Sequence, residues 1–92
     1  MDNQHRKIKG YRELSAEEIA LMNEIKEMGK NLEALCSKVD FHITDQRNND
    51  IDQNEEDRLD EAEPEKWAFE GKNELKKGLM FLTRAVAQPT TF

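Results

Sequence analysis

The chain has 92 residues, 37% of them charged and 36% apolar, with one cysteine, two histidines and a formal net charge of -6. That length allows one domain with a small core, and small domains usually lean on disulfides, metals or oligomerisation. Cys36 alone excludes an internal disulfide, and His5 and His42 are too few for an easy thiolate-imidazole metal cage, so self-association is the staple that remains.

The charge is unevenly spread. Residues 40–63 hold 10 of the 20 acidic residues against Arg47 and Arg58, a local balance of -8. The rest of the chain holds 10 acids and 12 bases, about +2 in sum, so an anionic ligand stays open. The longest unbroken run of large apolar residues is Leu79 to Leu82, and no apolar run follows the charged N-terminus. The expectation is a soluble, cytosolic protein with no membrane partner.

In chain order, the first element is the segment Arg6-Lys7-Ile8-Lys9-Gly10-Tyr11-Arg12, which interleaves cations with one aromatic ring. That is the local chemistry of a phosphate-and-base binder. Tyr11 can equally serve as the hydrophobic lead-in to a helix cap, and composition leaves both readings open. Ser15-Ala16-Glu17-Glu18 is a capping box, in which the serine hydroxyl accepts from a first-turn amide and Glu18 reaches back to the serine amide. It predicts helix one over about 15–42. Leu21, Ile25, Met28, Leu32, Leu35 and Val39 recur at 4-3-4-3-4 spacing, a stripe suited to a partner helix. Gly29 within it costs roughly 1 kcal/mol relative to alanine and predicts a kink or a close backbone contact. Ala20, Met22, Ala34 and Cys36, with Ile19 nearby, widen the apolar face beyond what one neighbour covers, which calls for another subunit. Cys36 reads as a small, buried, inert core residue.

The acidic stretch over about 43–63 reads as a solvated connector, although helix one could continue through Phe41 and Ile43, and Gln53 to Ala62 could add a short helix. Helix two, over about 64–88, opens with Pro64 in its first turn and stops before Pro89. It carries a stripe of Leu75, Leu79, Leu82 and Val86, and small residues Ala68, Gly71, Gly78 and Ala85 that let helix axes approach. Residues 1–92 thus predict an all-α fold, a single antiparallel helical hairpin domain with a short N-terminal segment.

No Ser/His/Asp set, phosphate-binding glycine loop or dinucleotide fingerprint appears, so no catalytic residue is expected. Asp40, His42 and Asp45 form the one carboxylate-imidazole group, but structural metal sites want four defined ligands, and His42 reads as a surface side chain. Lys26, beside Ile25, would by itself be a solvated helix lysine. Without further information the chain could be a small helical protein-protein adaptor, or an acidic DNA mimic that occupies a nucleic-acid-binding enzyme. The acidic run is too irregular to imitate a phosphate array, and no DNA partner is expected.

Two long runs narrow the choice. His5-Arg6-Lys7-Ile8-Lys9-Gly10-Tyr11-Arg12-Glu13-Leu14-Ser15, followed by Glu18-Ile19-Ala20-Leu21-Met22-Asn23-Glu24-Ile25-Lys26, resembles the N-terminal half of the phage anti-CBASS cyclic-oligonucleotide sponge family. Gly78-Leu79-Met80-Phe81-Leu82-Thr83-Arg84-Ala85-Val86-Ala87-Gln88-Pro89, with Trp67 upstream, is similar to that family's closing segment. Together the blocks make up about a third of the chain. The resemblance implies a helical hairpin assembled into a homo-oligomer, a hexamer. Such an assembly captures cyclic dinucleotides and cyclic trinucleotides in the cytoplasm of the infected bacterial host, without degrading them and without cofactor or metal. It also implies that Tyr11 stacks on a base and Lys26 contacts phosphate, and Arg12 and Arg84, which stand within the two runs, join them as expected ligand-binding cations. Lys26 lies ~16 Å along the helix axis from Ser15 at 1.5 Å per residue. A pocket shared between subunits would bring Lys26 and Tyr11 together, and a near-twofold dinucleotide suits an isologous interface.

Overall fold

The computed structural model describes residues 12–91, which form three helices: α1 (Ala16–Asn48), α2 (Gln53–Ala62) and α3 (Pro64–Ala87). No strand occurs among the described residues. The capping box opens α1 as the sequence predicts: the Glu18 amide donates to Ser15 Oγ at 3.2 Å, and the Ser15 amide donates to Glu18 Oε1 at 2.8 Å. The helix runs to Asn48, past the expected end near 42, because nothing from Phe41 to Arg47 breaks it and Ile43 falls on the packed side. Residues 49–52 link it to α2, whose N-cap Asp52 accepts from the Glu55 amide at 2.9 Å. The acidic stretch is therefore helical for most of its length. Glu63, in the left-handed region at φ 53, ends α2, and Pro64 starts α3 immediately after it. Gln88, at φ 52, caps the C-terminus of α3.

Gly29 faces Leu79, while Arg47 near the end of α1 donates to Glu65 near the start of α3, so α1 and α3 run antiparallel as a hairpin. α2 closes one end. There Arg47 joins all three helices, with Nε 2.8 Å from Glu65 Oε2 and Nη1 2.7 Å from Asp60 Oδ1. Among the described residues only Leu59 (2% exposed) and Ile43 (6% exposed) are buried. The molecule is a rod of 63 × 23 × 18 Å.

The packed side of α1 is rotated from the stripe read in the sequence. Ile25 and Leu32 are half-buried as expected, but Leu21, Met28, Leu35 and Val39 are exposed, Met28 by 52% and Leu35 by 53%. The seam instead follows Met22, Ile25, Gly29, Leu32, Cys36 and Ile43, a 3-4-3-4-7 spacing of smaller or more flexible residues. A Cβ at Gly29 would stand 3.4 Å from Leu79 Cδ1, an ordinary van der Waals contact with the end of a side chain, so Gly29 faces α3 without the close backbone contact that the sequence led one to seek. Cys36 is half-buried rather than buried. On α3, Leu79 and Val86 are half-buried while Leu75 and Leu82 are exposed. Of the small residues of α3, Ala68 is half-buried beside α1, whereas a Cβ at Gly71 or Gly78 would meet nothing within 4 Å and Ala85 is exposed. Phe69, Met80 and Phe81 also stand exposed, Phe81 by 68%. A soluble monomer rarely exposes so many large apolar side chains along two helices.

Candidate functional site

Lys26 lies on the exposed side of α1 and borders a groove of about 720 Å³ between α1 and α3. Lys30, one turn on, shares the rim with Lys72 and Lys76, themselves one turn apart on α3. Leu32, Leu75, Leu79 and Met80 supply apolar lining, Cys36 borders it as well, and Glu33 is the one carboxylate among the lining residues. Because Gly29 faces Leu79 in an antiparallel pair, Lys76 stands level with residue 32 of α1 and Lys72 with residue 36. The four lysines therefore span ~15 Å along the groove at 1.5 Å per residue.

None of these four lysines is in an ion pair among the described residues, whereas Lys66 and Lys77 pair with Glu63 and Glu74. Four ammonium groups without an ion pair among the described residues, against the one carboxylate of Glu33, repel one another and raise the local potential, which an anion relieves. The arrangement offers fixed positive charge beside an apolar lining, the chemistry of holding an anion that has a flat or apolar face.

The other residues expected at a site have distinct settings. Tyr11 lies outside the described residues. Arg84, exposed on α3, reaches the Thr91 carbonyl at 3.5 Å. It is five residues beyond Leu79 while Lys26 is three before Gly29, so the two differ by ~3 Å in level along the hairpin. Arg12 is engaged more firmly. Nη1 donates to Glu18 Oε1 at 3.1 Å, Nη2 donates to Glu18 Oε2, and Nη2 also donates to the Val86 carbonyl at 2.9 Å. These bonds hold the Glu18 carboxyl down at about 2, with the Arg12 hydrogen bond the largest cause and the Ser15 amide next. The Arg12 guanidinium is in turn held above its ordinary value by Glu18. Lys26, Arg12 and Arg84 thus gather at the open end of the hairpin, away from α2.

Lys30, Lys72 and Lys76 escaped the sequence reading. The one available signal was a pair of i, i+4 lysines on each helix, which becomes a groove only once the antiparallel register is known. His42, Asp40 and Asp45 are each exposed, and no group of three or more His, Cys, Asp or Glu side chains among the described residues is placed to hold a metal. No helix of the described residues is long and apolar enough to cross a membrane.

Comparison with known proteins adds the lineage. The family described as "Acb2/Tad1, hairpin domain" matches residues 3–87. Anti-CBASS protein 2 of Pseudomonas phage JBD67 is 37% identical over 105 aligned positions, which take in 97% of this chain and 97% of the relative. A match of that reach covers the N-terminal segment, all three helices and the groove between α1 and α3. On both counts, the chain belongs to the anti-CBASS family of Acb2/Tad1 hairpin-domain proteins.

Proposed function

We propose that this protein opposes CBASS antiphage immunity by binding cyclic dinucleotides and cyclic trinucleotides and sequestering them intact in the cytoplasm of the infected bacterium. The observation that carries the reading is the groove at Lys26, where four lysines that form no ion pair among the described residues stand beside an apolar lining. The relative's name, Anti-CBASS protein 2, supports the biological direction. Sequestration needs no bond to break, and the groove's residues suit holding rather than chemistry. Lys26 contacts a phosphate as a compact point charge, and Tyr11 stacks on a base, worth ~1 to 3 kcal/mol per base. Arg84, close in level to Lys26, is available as a further cation.

Assembly is part of this proposal. The exposed apolar residues of α1 and α3 are covered by further copies, a hexamer, in which one subunit's Lys26 meets another's Tyr11. A dinucleotide then sits on a twofold axis and a trinucleotide on a threefold one.

The test is to mix the purified protein with cyclic dinucleotides, separate the complex, heat it and identify the released nucleotide. Intact nucleotide supports a sponge, while linear product would make the protein a phosphodiesterase. Calorimetry on the parent, Tyr11→Ala, Tyr11→Phe and Lys26→Ala then assigns the site. Tyr11→Ala should lose roughly 2 to 6 kcal/mol, twice the per-base stacking value when each pocket holds two copies of the residue, Tyr11→Phe should restore most of it, and Lys26→Ala should weaken binding and flatten its salt dependence. Unchanged affinity in both alanine variants would place the pocket elsewhere.

A second reading, a helical protein-protein adaptor, is favoured by the same exposed apolar faces. It is separated by the heat-release experiment, in which an adaptor returns no nucleotide. The DNA-mimic reading is weakened by the acidic stretch itself, since Asp60 is bound to Arg47, Glu55 to Arg58, and Asp52 to a helix amide.

A further inference from the structure

Arg12 makes three hydrogen bonds that tie together points far apart in sequence. Two go to the Glu18 carboxylate in the first turn of α1, and the third goes to Val86, 74 residues away at the end of α3. The Val86 carbonyl is one of the last four of its helix, which have no partner within the helix. Glu18 has two tasks: one oxygen accepts the Ser15 amide in the capping box, and both oxygens face the Arg12 fork. A planar guanidinium on a carboxylate is a directional contact, which a lysine ammonium does not reproduce. Tyr11 immediately precedes Arg12 in the sequence.

We infer that Arg12 is a positioning residue, which holds the chain next to Tyr11 against the open end of the hairpin and does not itself contact a ligand phosphate. The inference rests on the reading of Tyr11 as the base-stacking residue and deepens it. The charge of Arg12 is already met by Glu18, and both of its terminal nitrogens donate to groups of the chain itself. The three-way tie among Arg12, Glu18 and Val86 fixes Arg12, the residue that follows Tyr11 in the sequence, and so leaves less ordering for a ligand to supply.

The test uses the full chain with Arg12→Gln, Arg12→Lys, Glu18→Gln and the double variant Arg12→Gln/Glu18→Gln. The probes are cyclic di-AMP, cyclic di-GMP and cyclic GMP-AMP. Glu18→Gln is informative because glutamine at this position still closes a capping box while losing the charge that holds Arg12. A positioning role predicts that Glu18→Gln weakens binding about as much as Arg12→Gln, on the order of fivefold or more. The double variant should be no worse than either single, as expected for residues that act through one contact. Arg12→Lys should fail to rescue, and the salt dependence of binding should be unchanged in Arg12→Gln but flatter in Lys26→Ala. A direct phosphate contact gives the opposite pattern: Glu18→Gln binds like the parent, Arg12→Lys retains most of the affinity, and Arg12→Gln flattens the salt dependence. That outcome overturns the inference.

A measurement without ligand separates this inference from the reading beneath it. Tryptic cleavage after Lys9, followed by mass spectrometry at fixed helix content by circular dichroism, should be faster in Glu18→Gln and Arg12→Gln than in the parent. If the parent binds none of the three probes yet cleavage accelerates, the tether stands and the cyclic-dinucleotide reading fails. If cleavage after Lys9 is unchanged in both variants, the tether is refuted whatever the binding data show.

Discussion

Leu59→Ala should be the most damaging single truncation in this protein. Among the described residues Leu59 is the most deeply buried side chain, at 2% exposure, and it is the apolar anchor of α2 at the closed end of the hairpin. Leu-to-Ala truncations in cores cost ~2 to 5 kcal/mol, the transfer of the lost methyl groups plus a residual cavity. The low half of that range applies here, ~2 to 3 kcal/mol, because a ten-residue helix at the end of a rod can settle into part of the void. A chain of 92 residues has ~5 to 14 kcal/mol of total stability at ~0.05 to 0.15 kcal/mol per residue, so this is a large share. At ~4 to 8 °C per kcal/mol, the unfolding midpoint should fall by ~8 to 24 °C. The assay is thermal unfolding followed by circular dichroism, with parent and variant at equal chain concentration because association shifts the midpoint. Ile43→Val, one methylene at the other buried position, should cost only ~0.5 to 1.5 kcal/mol. A Leu59→Ala midpoint within about 4 °C of the parent, the shift of roughly 1 kcal/mol, would refute the assignment of the core to this corner.

Gly71→Ala and Gly78→Ala should each raise helix stability by up to ~1 kcal/mol in a dissociated chain, since an added Cβ meets nothing within 4 Å there. Urea melts at low concentration check this, and destabilisation would mean that the helix packs closer at those positions than described. Lowering the pH should release Arg12 late. The folded Glu18 carboxyl sits at about 2 against an ordinary 4.5, so its contribution to stability is full above 4.5 and is lost as pH falls through about 2. Carboxyl chemical shifts followed by NMR would contradict this if Glu18 titrates near 4.5. In the acidic stretch, Asp50→Asn with Glu56→Gln should leave cyclic-dinucleotide affinity equal or higher, because both side chains are exposed and their charge repels phosphate. Asp52→Asn is predicted to cost little and Asp52→Ala about 1 kcal/mol through loss of the α2 cap, and calorimetry with thermal melts tests both.

How much could be read before the structure depended on the range of the interaction. The Ser15 cap and the Pro64 start are rules within four residues, and both appear where the sequence put them. Short range also explains α2, whose cap at Asp52 and acidic first turn are local signals that were outweighed by the charge of the stretch. Periodicity identified α1 but chose its inner side by size, favouring Leu21, Met28 and Leu35. With a single neighbouring helix the inner side goes instead to Met22, Gly29 and Cys36, and Leu21, Met28 and Leu35 are left exposed. The candidate site was legible only at Lys26, through resemblance. Lys72 and Lys76 join it across a register that no spacing reveals, and the bond from Arg12 to Val86 links the two ends of the chain.

A rod with its charges sorted by end is an electrically polar object. The -8 of residues 40–63 sits at the closed end, while Lys26, Arg12 and Arg84 stand at the other, along a 63 Å axis. Counter-ions screen fields over ~8 Å at physiological salt, so a diffusing anion senses each end separately, not the overall -6. It is turned away at one pole and drawn in at the other. The encounter rate for a charged ligand is therefore governed by the local field near the lysines, and it should fall as salt is added even though the protein as a whole carries the ligand's own sign.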